Sequence, residues 1–332
     1  MAVYSHQSVL VKELIQFLRP KPGQHYVDCT LGGGGHTEAI LQLTSPKGKV
    51  LAFELDERAI AAAKKRLNKY SHRLEIIRDS YAHLQTTIEK RRPQWPKISG
   101  VILDLGLSSD QLEQAQRGFS FQEDSPLDMR FDTRQTLTAS DIVLTWPEEK
   151  IRAILREYGE EVQAKRLAKG IVLWRDNLIS ARGSSSSGQK QKQKIVRTSM
   201  LVSTILAILN IKTADLKKYR RHPATKVFQA LRIAVNQELE NLQAILPQAI
   251  DILAPGGQLA VISFHSLEDR IVKKFFQGQT KKCVCPPDSP ICVCGAKARL
   301  QIMTKKPIRP SWVEIASNPR SRSALLRVAK KL

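Results

Sequence analysis

The sequence predicts a doubly wound α/β protein with an all-α segment inserted into it. Three observations carry that expectation. From Tyr26 to Leu105 short apolar runs alternate with longer amphipathic stretches, the rhythm of parallel strands joined by helices. After Leu107 the rhythm fails, and it returns only around Thr225. The first strand also runs straight into Asp28-Cys-Thr-Leu-Gly-Gly-Gly-Gly-His-Thr37. Glycine lets a chain turn tightly and approach a ligand with its main chain, and the helix that follows presents free N–H groups there.

Taken in order, Ser8–Leu18 spaces Val9, Leu10, Leu14, Ile15, Phe17 and Leu18 as an amphipathic helix, stopped by Pro20 and Pro22-Gly23. Strands are expected at Tyr26–Thr30, Lys49–Leu55, Leu74–Arg78 and Ile98–Leu105, with helices at His36–Leu43, Ala59–Tyr70 and His83–Arg92. Ser108–Asp132 is polar and rich in turn residues, and Thr138–Asn177 reads as helix throughout. Ser184–Lys194 is a low-complexity basic loop, after which Leu201–Leu209 resumes as helix. Thr225–Ile252 is a long helical region, Pro255-Gly256-Gly257 turns into a fifth strand at Leu259–Phe264, and Leu267–Phe276 is helix. Leu300–Lys305 and Ala324–Ala329 supply two last strands.

Lys and Arg total 53 against 31 Asp and Glu, a formal net charge of +22. Excess basic charge on that scale points to a polyanionic partner, nucleic acid ahead of an anionic membrane. Met1–Leu18 has neither a basic leader nor an apolar core before a cleavage site, and no run approaches a membrane span. With five cysteines and no disulfide framework, the expectation is a soluble, cytoplasmic protein.

Three nucleotide-binding patterns compete for the glycine turn. A P-loop needs Lys-Ser or Lys-Thr after its glycines, and His36-Thr37 stands there instead. A dinucleotide fingerprint needs a third glycine where this chain has Thr37 or Glu38. The pattern that fits is Asp28, Gly32 and Gly34, followed by Glu54 at the end of the next strand, where a carboxylate can take ribose hydroxyls. It resembles the S-adenosylmethionine site of the Rossmann-like methyltransferases.

Longer strings make the resemblance specific. They are Leu103-Asp-Leu-Gly-Leu-Ser-Ser109, Arg117-Gly-Phe-Ser-Phe121, Pro126-Leu-Asp-Met-Arg130 and Gly159-Glu-Glu161 with Lys165-Arg166. Further on stand His222-Pro-Ala-Thr-Lys-Val-Phe-Gln-Ala-Leu-Arg-Ile233, Val235-Asn236, Ser263-Phe-His-Ser-Leu-Glu-Asp-Arg270 and Asn318-Pro-Arg-Ser-Arg-Ser323. Together they resemble the MraW (RsmH) family of bacterial ribosomal RNA small-subunit methyltransferases, from His6 to about Arg327. The resemblance implies a Rossmann-like S-adenosylmethionine-dependent methyltransferase sheet with an inserted all-α domain. On that reading, residues 1–112 and 219–332 form the cofactor-binding methyltransferase domain and 113–218 the substrate-recognition insert. The implied reaction is methylation of the exocyclic N4 of a cytidine in 16S rRNA, with the small ribosomal subunit as partner.

The family's cofactor contacts carry over to Gly34, Gly35, His36, Asp104 and Gln111. Glu54 stands where Asp is usual, Tyr81 where Phe is usual and Ser125 where glycine is expected. Asp104 is also the candidate catalytic residue, since an acceptor for the amine N–H would help an amine whose lone pair is delocalised into the ring. The DNA amino-methyltransferases usually carry an Asn/Asp-Pro-Pro-Tyr string here, which this chain lacks. Ser108, Ser109, Lys226, Arg232 and His265 are candidate substrate contacts, and Arg270 could meet RNA or brace the site. Arg152, Arg156, Lys165, Arg166, Lys169, Arg175 and Arg182 make the insert a candidate RNA platform. A catalytically silent RNA-binding assembly factor is the alternative of another class, and the glycine turn, Glu54 and Asp104 count against it.

Cys283-x-Cys285 and Cys292-x-Cys294 bring four thiols into one short segment. Four thiolates can hold zinc, although a one-residue gap is tighter than the usual two to four. The sequence assigns no metal: a zinc site and a reduced-thiol loop both stay open.

Overall fold

Strand β1 (His25–Asp28) lies in the interior of a seven-stranded sheet because its last three residues, Tyr26, Val27 and Asp28, are all buried. The computed structural model describes residues 8–107, 117–180, 196–283, 285 and 294–332. The sheet runs β3 (Leu74–Ile77), β2 (Val50–Phe53), β1, β4 (Ile98–Asp104), β5 (Leu253–Ser263), β7 (Leu325–Lys331), β6 (Leu300–Ile302). Its first five strands are parallel, and β7 pairs antiparallel with both β5 and β6. The fifth strand begins earlier than the sequence pattern places it. A register shift lets Leu253 pair with Ile98 while Gln258 pairs with Gly100, so the Pro-Gly-Gly segment is taken up as a bulge.

Neighbouring strand residues point alternately into two cores, as a parallel sheet covered on both faces requires. Val27, Phe53, Leu103 and Val261 pack with Phe276 on one face. Tyr26, Ala52, Ile102 and Ile262 pack with Leu14 and Leu18 on the other. The helices that cover these faces are α1 (Val11–Leu18), α2 (Gly35–Leu43), α3 (Glu57–Arg66) and α4 (Leu84–Glu89). Helix α3 starts where Asp56 accepts from the N–H of Arg58, and Lys64, Lys65 and Arg66 in its last turn complement its dipole.

The chain divides into two compact units, Met1–Ser109 with Leu239–Leu332, and Asp110–Glu238. The second unit is helical: α5 (Ala139–Thr145), α6 (Glu148–Glu157), α7 (Ala164–Ser180), α8 (Thr198–Leu209) and α9 (Thr225–Asn236). Two expectations are corrected here. Residues 138–177 are three helices and not one, because Pro147 caps α6 and Glu160 takes a left-handed φ of 46° beyond its end. The C-terminal boundary of the insert also moves from 218 to 238. Helix α9 packs on α5 and α6, burying Val227, Phe228, Ala230 and Leu231 inside the helical unit. It ends at Gln237, whose left-handed φ of 50° separates it from α10 (Glu238–Ile252).

The remaining helices of the sheet unit are α11 (Ser266–Gln279) and α12 (Trp312–Ser317). The Nζ of Lys331 donates to the carbonyls of Ile250 (2.7 Å), Asp251 (3.1 Å) and Leu253 (2.6 Å). A strand residue thereby satisfies carbonyls that the end of α10 leaves without helical partners. Among the described residues, no helix is long and apolar enough to cross a membrane.

Candidate active site

The order of strands reverses direction between β1 and β4, and ligands of doubly wound sheets bind outside the carboxyl ends of the strands at such a point. Three acidic residues gather there. Asp28 ends β1, Glu54 follows β2 and Asp104 ends β4.

Asp28 is fully buried and spent on the turn itself. Its carboxylate accepts from the Thr37 hydroxyl at 2.7 Å and the Thr30 N–H at 3.1 Å. Glu54 pins the turn from the other side. Its Oε2 accepts from Gly32 N at 2.8 Å, and its Oε1 accepts from the N–H groups of Leu55 and Asp56, each at 2.9 Å.

The glycines answer to packing as well as to any ligand. Gly34 has a φ of +78°, and a Cβ there would lie 2.8 Å from Leu67 Cδ1. A Cβ on Gly35 would lie 2.2 Å from Ser8 Oγ. Real Cβ atoms do not come that close, so a side chain at either position would force Leu67 or Ser8 to shift, and at Gly34 the positive φ adds strain.

His36 follows as the second residue of α2, nearly completely buried. Its Nε2 lies 2.9 Å from the carbonyl of Val9. A carbonyl only accepts, so Nε2 carries the proton. That leaves Nδ1 facing Asp104 Oδ2 at 3.7 Å, too long for a hydrogen bond. The Asp104 N–H donates to Thr30 Oγ1 at 2.6 Å, and its Oδ1 is buried with no hydrogen-bond partner among the described residues.

Burial raises all three acids above the ordinary carboxylate range. For Asp104 it does so to about 6, with the charges of Asp28 and Glu268 adding to the rise and His36 opposing it. Three desolvated carboxyls at one set of strand ends favour a ligand carrying positive charge.

Tyr81 opens the turn Tyr81–His83 after β3, half-buried against the core. Gln111, Ser108, Ser109, Arg182 and Cys292 lie outside the described residues. His265 is the N-cap of α11: the Glu268 carboxylate accepts from its N–H in a capping box, and its Nε2 lies 3.1 Å from Glu268 Oε1.

In the helical unit, Arg232 is clamped by Glu238 through two hydrogen bonds of 2.8 and 2.9 Å. Lys226 Nζ donates to the carbonyl of Glu160 at 2.8 Å, holding the left-handed turn after α6. Arg175 donates to the carbonyl of Trp146 and is also engaged within the unit. Arg152, Arg156, Lys165, Arg166 and Lys169 are exposed. So is Lys217-Lys-Tyr-Arg-Arg221, a basic run interleaved with an aromatic that is not among the sequence candidates. Its signal was plain in the sequence, since that combination recurs where proteins hold single-stranded nucleic acid.

A sheet of this order in which β7 alone runs against the other strands, and a glycine turn pinned between acidic strand ends, defines a Rossmann-like methyltransferase. The MraW methylase family model matches residues 3–332, and the chain belongs to that family. It is 46% identical over 329 residues to the ribosomal RNA small subunit methyltransferase H of Heliobacterium mobile, covering 99% of each chain. It is 44% identical over 328 residues to the protein of the same name from Thermomicrobium roseum, covering 99% of this chain and 94% of that one.

Proposed function

We propose that the protein transfers the methyl group of S-adenosylmethionine to the N4 amine of a cytidine in 16S rRNA of the small ribosomal subunit, in the cytoplasm. The observation that carries this reading is the end-to-end match to the methylase family, with relatives named for small-subunit ribosomal RNA. The donor set fits the cofactor. S-adenosylmethionine carries a sulfonium and an ammonium, which suit the buried carboxyls of Glu54 and Asp104, and Asp104 Oδ1 has no hydrogen-bond partner among the described residues. When bound, the cofactor supplies an electrophilic methyl.

This chain's residues do the rest. Glu54 holds Gly32 in place and keeps an Oε2 lone pair for a ribose hydroxyl. Gly34, Gly35 and His36 set the floor of the site at the start of α2, Tyr81 offers an aromatic face, and Gln111 is assigned to the cofactor by motif. Asp104 takes the N–H of the attacking amine, raising the electron density on nitrogen and receiving the proton that methylation releases.

The target base must be unpaired or splayed out to reach that point. The exposed basic residues of the helical unit serve the RNA backbone, with Ser108 and Ser109 as candidates beside the base.

The test offers labelled methyl donor to naked 16S rRNA, assembled small subunits and DNA. Label on cytidine N4 of the RNA in either of the first two supports the proposal. Label on DNA alone, or on no substrate, overturns it.

A further inference from the structure

The loop between Gln279, the last residue of α11, and Arg299, just before β6, is closed at its base by Arg299 N–H donating to the Gln279 carbonyl at 2.8 Å. None of its described residues is buried. Yet three cysteines converge within it. The Sγ atoms of Cys283, Cys285 and Cys294 all lie within 4.8 Å of one another, and none of the three is in a disulfide.

We propose that Cys283, Cys285 and Cys294 bind a zinc ion that cinches this loop. The geometry is that of a metal-thiolate corner. Zinc–sulfur bonds of about 2.3 Å at tetrahedral angles set neighbouring sulfurs about 3.8 Å apart, and Cys283 Sγ lies 3.7 Å from Cys294 Sγ. The Cys285 N–H points at Cys283 Sγ from 3.4 Å, the kind of hydrogen bond that orients and stabilises a ligating thiolate. A one-residue gap between the first two ligands is short, but the third comes from the far side of the loop, so the site closes by bringing distant segments together.

Each thiol gives its proton to solvent as the metal binds, and no electrons move. Zn²⁺ with three thiolates carries a net negative charge, which Lys281, Lys282 and Lys297 in the same loop offset. Thiolate ligands select zinc over the hard cations that oxygen donors take. Because its described residues are not buried, the loop gains order from such a staple, as small metal-bound segments do.

The test uses the full chain purified under reducing conditions without chelator. Elemental analysis is expected to find about one zinc per chain, falling close to zero in Cys283→Ser and in Cys294→Ser. Because either variant could misfold, the parent is tested independently. Cobalt(II) exchanged into the site is expected to give the intense thiolate charge-transfer absorption of tetrahedral coordination. Chelation of the metal is expected to open Cys283, Cys285 and Cys294 to alkylation, read residue by residue by mass spectrometry, while Cys29, 2% exposed, stays protected. Absence of zinc with no uptake on titration, zinc content unchanged by the substitutions, or alkylation indifferent to the chelator would each overturn the proposal. So would a Cys283–Cys294 disulfide in the protein as isolated.

Discussion

Nδ1 of His36 faces Oδ2 of Asp104 across 3.7 Å, while the ring's other nitrogen is held as a donor by the Val9 carbonyl. The imidazole therefore cannot turn its N–H toward the acid without giving up the Val9 contact. The titrating group of the two is Asp104, whose carboxyl burial lifts to about 6. That places one titrating proton at the end of β4.

Asp104→Asn tests the consequence for catalysis. The amide keeps an acceptor oxygen but cannot take the amine's proton. The turnover number is expected to fall by about 10²–10⁴-fold, the range of a lost general base. In the parent, turnover is expected to decline as pH falls through about 6, where Asp104 protonates. Single-turnover rates from pH 5 to 8 check both.

The same group makes a prediction about stability, opposite in sign to the usual one for an acid. Its folded pKa, about 6, lies above the 3.8 of an unperturbed aspartate. The folded state therefore binds the proton more tightly, and stability is lost as pH rises from about 4 to 6. At roughly 1.4 kcal/mol per unit the ligand-free protein gives up about 2–3 kcal/mol over that window. Asp104→Asn removes the penalty, so its melting temperature relative to the parent is expected to be higher at pH 7 than at pH 4.

Gly35→Ala is expected to destabilise the turn, because the new methyl meets Ser8 Oγ at 2.2 Å and Ser8 Cβ at 2.9 Å. The loss is expected at about 1–3 kcal/mol, the cost of overpacking. Adding Ser8→Gly should restore most of it. A double-mutant cycle by chemical denaturation reads the coupling, and no rescue would place the strain elsewhere.

Glu54→Gln replaces an acceptor-only carboxylate with a group whose NH₂ must face Gly32, Leu55 or Asp56 N–H donors. Loss of one charge-assisted bond costs about 1.5–3 kcal/mol. Affinity for S-adenosylmethionine is expected to drop by about 10–100-fold, as read by calorimetry.

Replacing Arg220 and Arg221 with Ala is expected to weaken RNA binding at every sequence and to flatten its salt dependence. Each lost phosphate contact removes about 0.7–0.9 from the slope of log K against log salt concentration. Filter binding over a salt series measures it, and an unchanged slope would remove this run from the interface.

The sheet was legible because its strands are buried on both faces and punctuated by glycine and proline, signals that survive without tertiary context. Glu54 and Asp104 were legible because strand ends follow from the strands. The helical insert was less so. Gln237 breaks a continuous apolar pattern in a left-handed conformation that no local rule assigns to glutamine. Arg232 meets Glu238 across that break, at a spacing of six that helical geometry would not bring together. The reason for Gly35 lay in Ser8, far away in sequence and visible only once α1 packed on α2.

Strand β5 pairs with β4, yet the whole of Asp110–Glu238 is threaded between them. The central pairing of the sheet thus closes a chain loop of more than a hundred residues. If that loop were still flexible its closure entropy would add to the folding barrier, and contacts so distant in sequence slow folding. A helical segment rich in local contacts can collapse early and shorten the effective tether. Refolding is then expected in two kinetic phases, fast for helix and slow for sheet, with truncations inside the insert slowing the second phase rather than the first.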